Sequence, residues 1–189
     1  MTTSTTFSPQ DFLSQYWQRK PVIIKQFLNN FIDPIDEHDL AGLAEESDVD
    51  SRLVIKGTNG WDVLQGPFSD LNKVCRDSWS LLVQGVDVYN EECSALMDKF
   101  NFIPHWRMDD LMVSYSVAGG GVGAHFDQYD VFIIQGKGQR RWQVGDKILH
   151  RDTILPHPKL QQVEDFKPII DEILETGDVL YIPPNFPHK

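Results

Sequence analysis

Residues 119–135 read Gly119-Gly120-Gly121-Val122-Gly123-Ala124-His125-Phe126-Asp127-Gln128-Tyr129-Asp130-Val131-Phe132-Ile133-Ile134-Gln135. A glycine cluster gives way to aromatic and β-branched residues, the composition of a strand entered from a turn. The glycines are not followed by a helical pattern and carry no Gly-Lys-Ser or Gly-Lys-Thr, which argues against a phosphate-cradling loop and a Rossmann unit. The stretch therefore predicts a strand over 124–135. Further short strands are expected over 111–117, 139–144 and 179–182, punctuated by Gly136-Lys137-Gly138, Gly145-Asp146 and Gly177-Asp178. Strands so short and closely spaced favour a double-sheet barrel or jelly roll over a parallel sheet with crossover helices. The predicted class is α+β, mainly β.

In a strand, side chains at i and i+2 project from one face, so His125-Phe126-Asp127 presents an imidazole beside a carboxylate. His188 follows Leu180-Tyr181-Ile182-Pro183-Pro184, just past a strand end, where a neighbouring strand can offer it as a third ligand. Two histidines and one carboxylate leave open positions on an octahedral Fe(II), and these accept a chelating cosubstrate and O2. The pattern alone is weak: with six His and 20 Asp in 189 residues, chance supplies roughly 0.6 His-x-Asp pairs. A second pair, His150-Arg151-Asp152 with His157 behind it, falls where Pro156 and Pro158 interrupt any strand and reads as loop. The alternative for His125 and Asp127 is an ordinary pair of hydrogen-bonding strand residues.

In Arg140-Arg141-Trp142-Gln143-Val144 the alternation sets Arg141 and Gln143 on the solvated face and turns Arg140, Trp142 and Val144 inward. An inward guanidinium is costly unless it meets an anion, and no acid in its own strand supplies one. A bound dicarboxylate answers that charge; a partly solvated place at the open end of a hairpin is the other reading. Asp110, Met112 and Ser114 share one face of the strand expected to begin near Asp109, and Tyr129 shares the parity of His125 and Asp127. If that face is inward, Asp110 is an acid able to receive a basic substrate side chain; otherwise it is a strand-end carboxylate in water. Trp17, Trp61, Trp79 and Trp106 read as packing residues.

The first hundred residues read as mixed α/β. Ser8 as N-cap and Pro9 at the first helical position open a helix that Pro21 stops. Val22-Ile23-Ile24 is of strand type, 36–46 is helical, and Gly57-Thr58-Asn59-Gly60 joins Arg52-Leu53-Val54-Ile55 to Trp61-Asp62-Val63-Leu64 as a hairpin. A strand over 80–88 and a helix over 91–102 complete this part, so 1–108 is expected to pack as an N-terminal α/β part on a core of 109–189. Acidic side chains number 28 against 17 basic, a net charge of −11. That balance argues against direct nucleic-acid binding through clustered Lys and Arg and favours a basic partner. No apolar stretch reaches the length of a membrane span and the first ten residues lack a signal-peptide order, so a cytoplasmic protein is expected. Cys75 and Cys93 have neither disulfide-framework nor zinc-site spacing and are expected to stay reduced.

With these residues in place the chain resembles the bacterial ribosomal oxygenases, JmjC-type hydroxylases dependent on Fe(II) and 2-oxoglutarate. The resemblance is carried by Tyr16-Trp17-Gln18-Arg19-Lys20-Pro21, Asn30-Phe31-Ile32-Asp33-Pro34, Asp109-Asp110-Leu111-Met112, the segment from Gly119 to Phe132, and Gly177-Asp178-Val179-Leu180-Tyr181-Ile182-Pro183-Pro184-Asn185-Phe186-Pro187-His188. It implies a double-stranded β-helix, the jelly roll of cupin and JmjC proteins. It implies that His125, Asp127 and His188 bind iron and that Arg140 holds the distal carboxylate of 2-oxoglutarate; Ser114, on the strand face shared with Asp110 and Met112, is expected on the cosubstrate as well. Asp110, Met112 and Tyr129 match positions lining the pocket of a substrate arginine. The implied reaction couples O2-dependent decarboxylation of 2-oxoglutarate, to succinate and CO2, with hydroxylation of an arginine β-carbon in large-subunit ribosomal protein L-sixteen. Family members dimerise, and they continue beyond the third ligand with a last barrel strand, a helical dimerisation region and a winged-helix-like domain. Lys189 follows His188 directly, so the barrel is expected to be incomplete at its C-terminal strand. Two other functions suit the same residues: a non-catalytic cupin-type module that binds a dicarboxylate, and a zinc enzyme on the same barrel.

Overall fold

Short apolar runs bounded by turn residues become strands, and the helices between them are brief. The computed structural model describes residues 2–3, 7–58, 60–148, 155 and 162–189. In chain order these form β1 (Thr2–Thr3), α1 (Pro9–Gln15), β2 (Val22–Ile24), α2 (Glu37–Leu43), β3 (Ser51–Gly57), β4 (Gly60–Gln65), α3 (Leu71–Val74), β5 (Ser78–Val83), α4 (Val86–Tyr89), α5 (Glu91–Met97), β6 (Val113–Ser116), β7 (Val131–Ile134), β8 (Gln139–Gly145), β9 (Pro168–Glu175) and β10 (Val179–Ile182). His150, Asp152 and His157, read as loop, lie outside the described residues. No helix among the described residues is long and apolar enough to cross a membrane.

Compactness does not divide the chain at residue 108. One unit joins Met1–Asp33 to Gly123–Lys189, and the other is Pro34–Val122. Strand pairing is the cause. β2 is hydrogen-bonded to β10, with Leu180 opposite Ile23, which ties the start of the chain to its end. β6 pairs with β5, Leu82 opposite Ser114, which keeps 109–122 with the residues before it.

The first unit holds two sheets. One runs β1-β2-β10-β7 and the other pairs β8 with β9, antiparallel except for β1 against β2. Every residue of β10 is buried, as expected of a continuous apolar run in a central strand. Its Leu180 and Ile182 join Ile23, Val144, Ile170, Leu174 and Phe186 in one cluster, with Trp142 and Ile133 packed against it. On the opposite face Tyr181 meets Phe12 of α1, Trp17 and Phe132 at ring centroid separations of 4.9, 5.6 and 5.0 Å. α1 starts as its sequence dictates: the Ser8 hydroxyl accepts from the Asp11 N–H and Pro9 occupies the first turn. A strand over 168–175, absent from the sequence expectation, pairs with β8 throughout.

The second unit is the sheet β4-β3-β5-β6. Leu53 and Ile55 of β3 and Leu81 and Val83 of β5 bury against Leu40, Ala44, Val86 and Cys93. The β3–β4 hairpin forms as read, with Gly57 opposite Gly60. The strand expected over 80–88 ends at Val83, and 86–89 is a helical turn. The reason lies in two carboxylates: Asp110 accepts the Gly85 N–H and Asp87 accepts the Leu111 N–H, closing a turn where a strand would run on. Cys75 and Cys93 are free thiols, and burial pushes the Cys93 thiol up to about 11, with Asp87 and Glu92 adding to it. Trp106 departs from its reading as a packing residue, being 81% exposed.

Candidate metal centre

The stretch expected as one strand over 124–135 is instead a corner. His125 pairs with His188 through two backbone hydrogen bonds, N to O at 3.0 Å and, in return, 2.7 Å. The chain then turns away from this bridge and resumes as β7. Two anchors force the turn. The Asp127 carbonyl accepts from the Asn185 N–H at 2.8 Å. The Asp130 carboxylate accepts from the Tyr181 hydroxyl at 2.5 Å and from the Gln18 side chain at 3.2 Å. A directly opposed pair projects its side chains to one side, and Asp127 is two residues from His125, so the intended juxtaposition survives without a regular strand.

One ligand atom from each of His125, Asp127 and His188 lies within 4.8 Å of the others. His188 Nε2 is 3.6 Å from Asp127 Oδ2, and the two imidazole centroids are 4.3 Å apart. His125 Nδ1 lies 3.0 Å from the Gly123 carbonyl, and His188 Nδ1 lies 3.0 Å from the Phe186 carbonyl. A carbonyl can only accept, so each Nδ1 carries its proton and each Nε2 keeps a lone pair for a cation. Gly123 adopts a φ of +81°, a left-handed conformation that costs glycine little, to present its carbonyl there. Burial pushes the His188 imidazole down to about 3, the neighbouring His125 adds to this, and the Phe186 carbonyl only partly opposes it. His188 is therefore neutral at neutral pH, the form that binds metal. Two imidazoles and a carboxylate gathered at one point make a donor set suited to a facially coordinated Fe(II).

β8 delivers the next layer. Its Gly145 N–H donates to the Pro187 carbonyl at 2.7 Å and Gln143 exchanges two bonds with Lys189, so the strand grips the segment bearing His188 from the side away from His125. Arg141 takes the solvated face as expected and pairs with Asp171, Nε to Oδ1 2.6 Å. Arg140 is turned the other way, its guanidinium 5.6 Å over the Trp142 ring. Burial pulls the Arg140 pKa down. Tyr129, by contrast, is 66% exposed.

Asp110, Met112 and Ser114 belong to the second unit. The strand expected to begin near Asp109 begins at Val113, so Asp110 and Met112 precede it. Asp110 accepts from the Gly85 N–H at 2.7 Å and from the Gln84 side chain at 3.3 Å, so it is not simply a strand-end carboxylate in water. Met112 Sδ lies 3.9 Å from an Arg52 nitrogen, and Ser114 is exposed on β6. The carbonyls of Gly123 and Phe186 and the Tyr181–Asp130 anchor were not foreseen. Backbone acceptors leave no side-chain signature; the buried tyrosine in an otherwise aliphatic strand was the available signal for the anchor.

A model of the JmjC domain matches residues 95–189. The Escherichia coli (strain K12) ribosomal protein uL16 3-hydroxylase is 55% identical over 184 residues, covering 97% of this chain and 49% of the relative. A probable ribosomal oxygenase of Haemophilus influenzae is 40% identical over 96% of this chain and 46% of its own. Among solved structures, Escherichia coli YcfD superposes with a TM-score of 0.90 at 54% identity, over 100% of this chain and 50% of that one. YcfD in complex with cobalt and 2-oxoglutarate superposes with a TM-score of 0.87 at 54% identity, over 97% of this chain and 47% of that one. The chain spans about half the length of the relatives it matches.

Proposed function

The chain belongs to the JmjC domain family, and from that premise we propose that it carries the catalytic core of an Fe(II)- and 2-oxoglutarate-dependent ribosomal oxygenase. Its substrate in this reading is an arginine β-carbon of large-subunit ribosomal protein uL16, the protein named in its Escherichia coli relative. The observation that carries the proposal is the convergence of His125, Asp127 and His188, with both Nδ1 atoms committed to backbone carbonyls. When bound, iron and 2-oxoglutarate supply the oxidising chemistry, decarboxylation coupled to oxygen insertion into a C–H bond. The residues supply geometry and charge. His125, Asp127 and His188 hold three positions of the metal and leave the rest to ligands. Arg140, half-buried, takes the far carboxylate of the cosubstrate by charge-assisted hydrogen bonds.

The assignment of Asp110, Met112 and Tyr129 to the substrate arginine rests on the resemblance of their segments, and that of Ser114 to the cosubstrate on the strand parity it shares with Asp110 and Met112. A dimeric full-length protein rests on the resemblance too, whereas a cytoplasmic location rests on the lack of a span or signal order in the sequence and the absence of direct nucleic-acid binding on its surplus of acid. A net charge of −11 suits an encounter with a basic ribosomal protein. The test is turnover by the full-length protein with Fe(II), 2-oxoglutarate, O2 and a uL16 peptide. Succinate should form in step with a peptide heavier by one oxygen. Undiminished turnover by His125→Ala would overturn the proposal. A dicarboxylate-binding module would instead bind 2-oxoglutarate without metal, and a zinc enzyme would show no dependence on O2.

A further inference from the structure

Trp142 follows Arg140 by two residues in β8, so the two side chains leave the same face of the strand. Its indole Nε1 is buried and finds no acceptor among the described residues. A buried N–H without an acceptor forfeits a hydrogen bond it had in water, and native interiors retain few such groups. The neighbours of Trp142 indicate what the acceptor is. Its ring centroid is 6.1 Å from that of His188, and the Arg140 guanidinium stands 5.6 Å over the same ring. In the reading above, the metal held by His188 takes the keto-acid end of the cosubstrate and Arg140 takes the other end. Trp142 touches both neighbourhoods and so borders the molecule that joins them.

We propose that the Trp142 Nε1–H donates to a carboxylate oxygen of bound 2-oxoglutarate, which makes Trp142 a cosubstrate-positioning residue; the proposal rests on the site being a 2-oxoglutarate site. The ring face lies under Arg140 and steadies the guanidinium by a cation–π contact. The ring edge adds a directional donor that selects for a charged acceptor at a fixed place.

The test uses the full-length protein loaded with Zn(II), which binds at the site without turning over, and 15N-labelled tryptophan. Addition of 2-oxoglutarate should move the indole N–H resonance of Trp142, assigned by its absence in Trp142→Phe or, should that variant not fold, by its contacts to the His188 ring. Calorimetry should show Trp142→Phe binding 2-oxoglutarate about tenfold or more weakly, since a hydrogen bond to a charged group is lost while the ring remains. A Trp142 resonance that stays in place while calorimetry registers 2-oxoglutarate binding overturns the proposal and leaves the underlying reading standing. Equal affinity in a folded Trp142→Phe does the same. Failure of the metal-loaded wild type to bind 2-oxoglutarate overturns both.

Discussion

At the scale of single residues the centre depends on which atoms are already committed. Each imidazole spends Nδ1 on a carbonyl, and so Nε2 of each is the atom left for a metal, that of His188 lying 3.6 Å from Asp127 Oδ2. Arg140 is the residue whose role is most open to measurement. Replacing it by alanine should raise the half-saturating 2-oxoglutarate concentration by about 10–100-fold, the value of a charge-assisted, bidentate contact. Lysine at the same position should recover only part, because an ammonium cannot present the planar fork. Steady-state rates with 2-oxoglutarate varied would show this, and a lysine variant indistinguishable from wild type would mean that charge alone is recognised. His125 and Asp127 were legible from their spacing and His188 from its place beyond an apolar strand. The partners of Asp110, Gln84 and the Gly85 N–H, were not legible because they sit in a turn about 25 residues earlier, which no local pattern reveals.

At the scale of elements, the corner at 127–130 and the grip of β8 on the last residues decide where the ligands stand. A Cβ added at Gly145 would lie 2.6 Å from the Phe166 ring and 2.8 Å from Pro187, closer than real contacts allow, so β8 or the segment bearing His188 must shift. Gly145→Ala should therefore weaken Co(II) binding by about 10–100-fold, as changes just behind metal ligands do; unchanged affinity in a folded variant would show that β8 does not set the position of His188. The turn between β9 and β10 is fixed by buried Asp178, which accepts from the Glu175 and Gln26 N–H groups and from Lys25. Burial alone raises its pKa, but the Glu175 N–H, the Lys25 side chain and the Gln26 N–H together hold it below the ordinary carboxylate value. The unfolded chain then binds the extra proton as pH falls below about 4. Asp178 thus stabilises fully above that pH, and its contribution fades as pH drops toward the folded pKa. Asp178→Asn should cost about 2–4 kcal/mol at pH 7 and flatten the acid limb of stability measured by urea unfolding; an unaltered limb would remove Asp178 from this role. The elements themselves were read well where periodicity is plain, as in β10 and the β3–β4 hairpin. They were misread where hydrogen bonds from distant side chains end a strand, as at Val83, or bend one, as between Asp127 and Val131.

At the scale of the molecule, two units share the chain, and the one containing the centre is built from both its ends. That partition escaped sequence reading because pairing of β2 with β10 spans more than 150 residues, and nothing in either strand names its partner. The jelly-roll class was legible because it needs only the density of strands and glycine turns. The surplus of acid, −11 overall, predicts that kcat/KM toward a basic uL16 peptide falls as salt rises from about 0.05 to about 0.2 M while kcat holds, since screening weakens encounter more than chemistry. A salt-independent kcat/KM would show that charge plays no part in the meeting. The central claim, that His125, Asp127 and His188 hold an iron which 2-oxoglutarate chelates, is tested most directly by anaerobic titration of the full-length protein with Fe(II) and 2-oxoglutarate while the visible metal-to-ligand charge-transfer band is followed. The band should develop and saturate in the wild type and be absent in His125→Ala and Asp127→Ala; no band in the wild type, or the same band in both variants, would contradict the account.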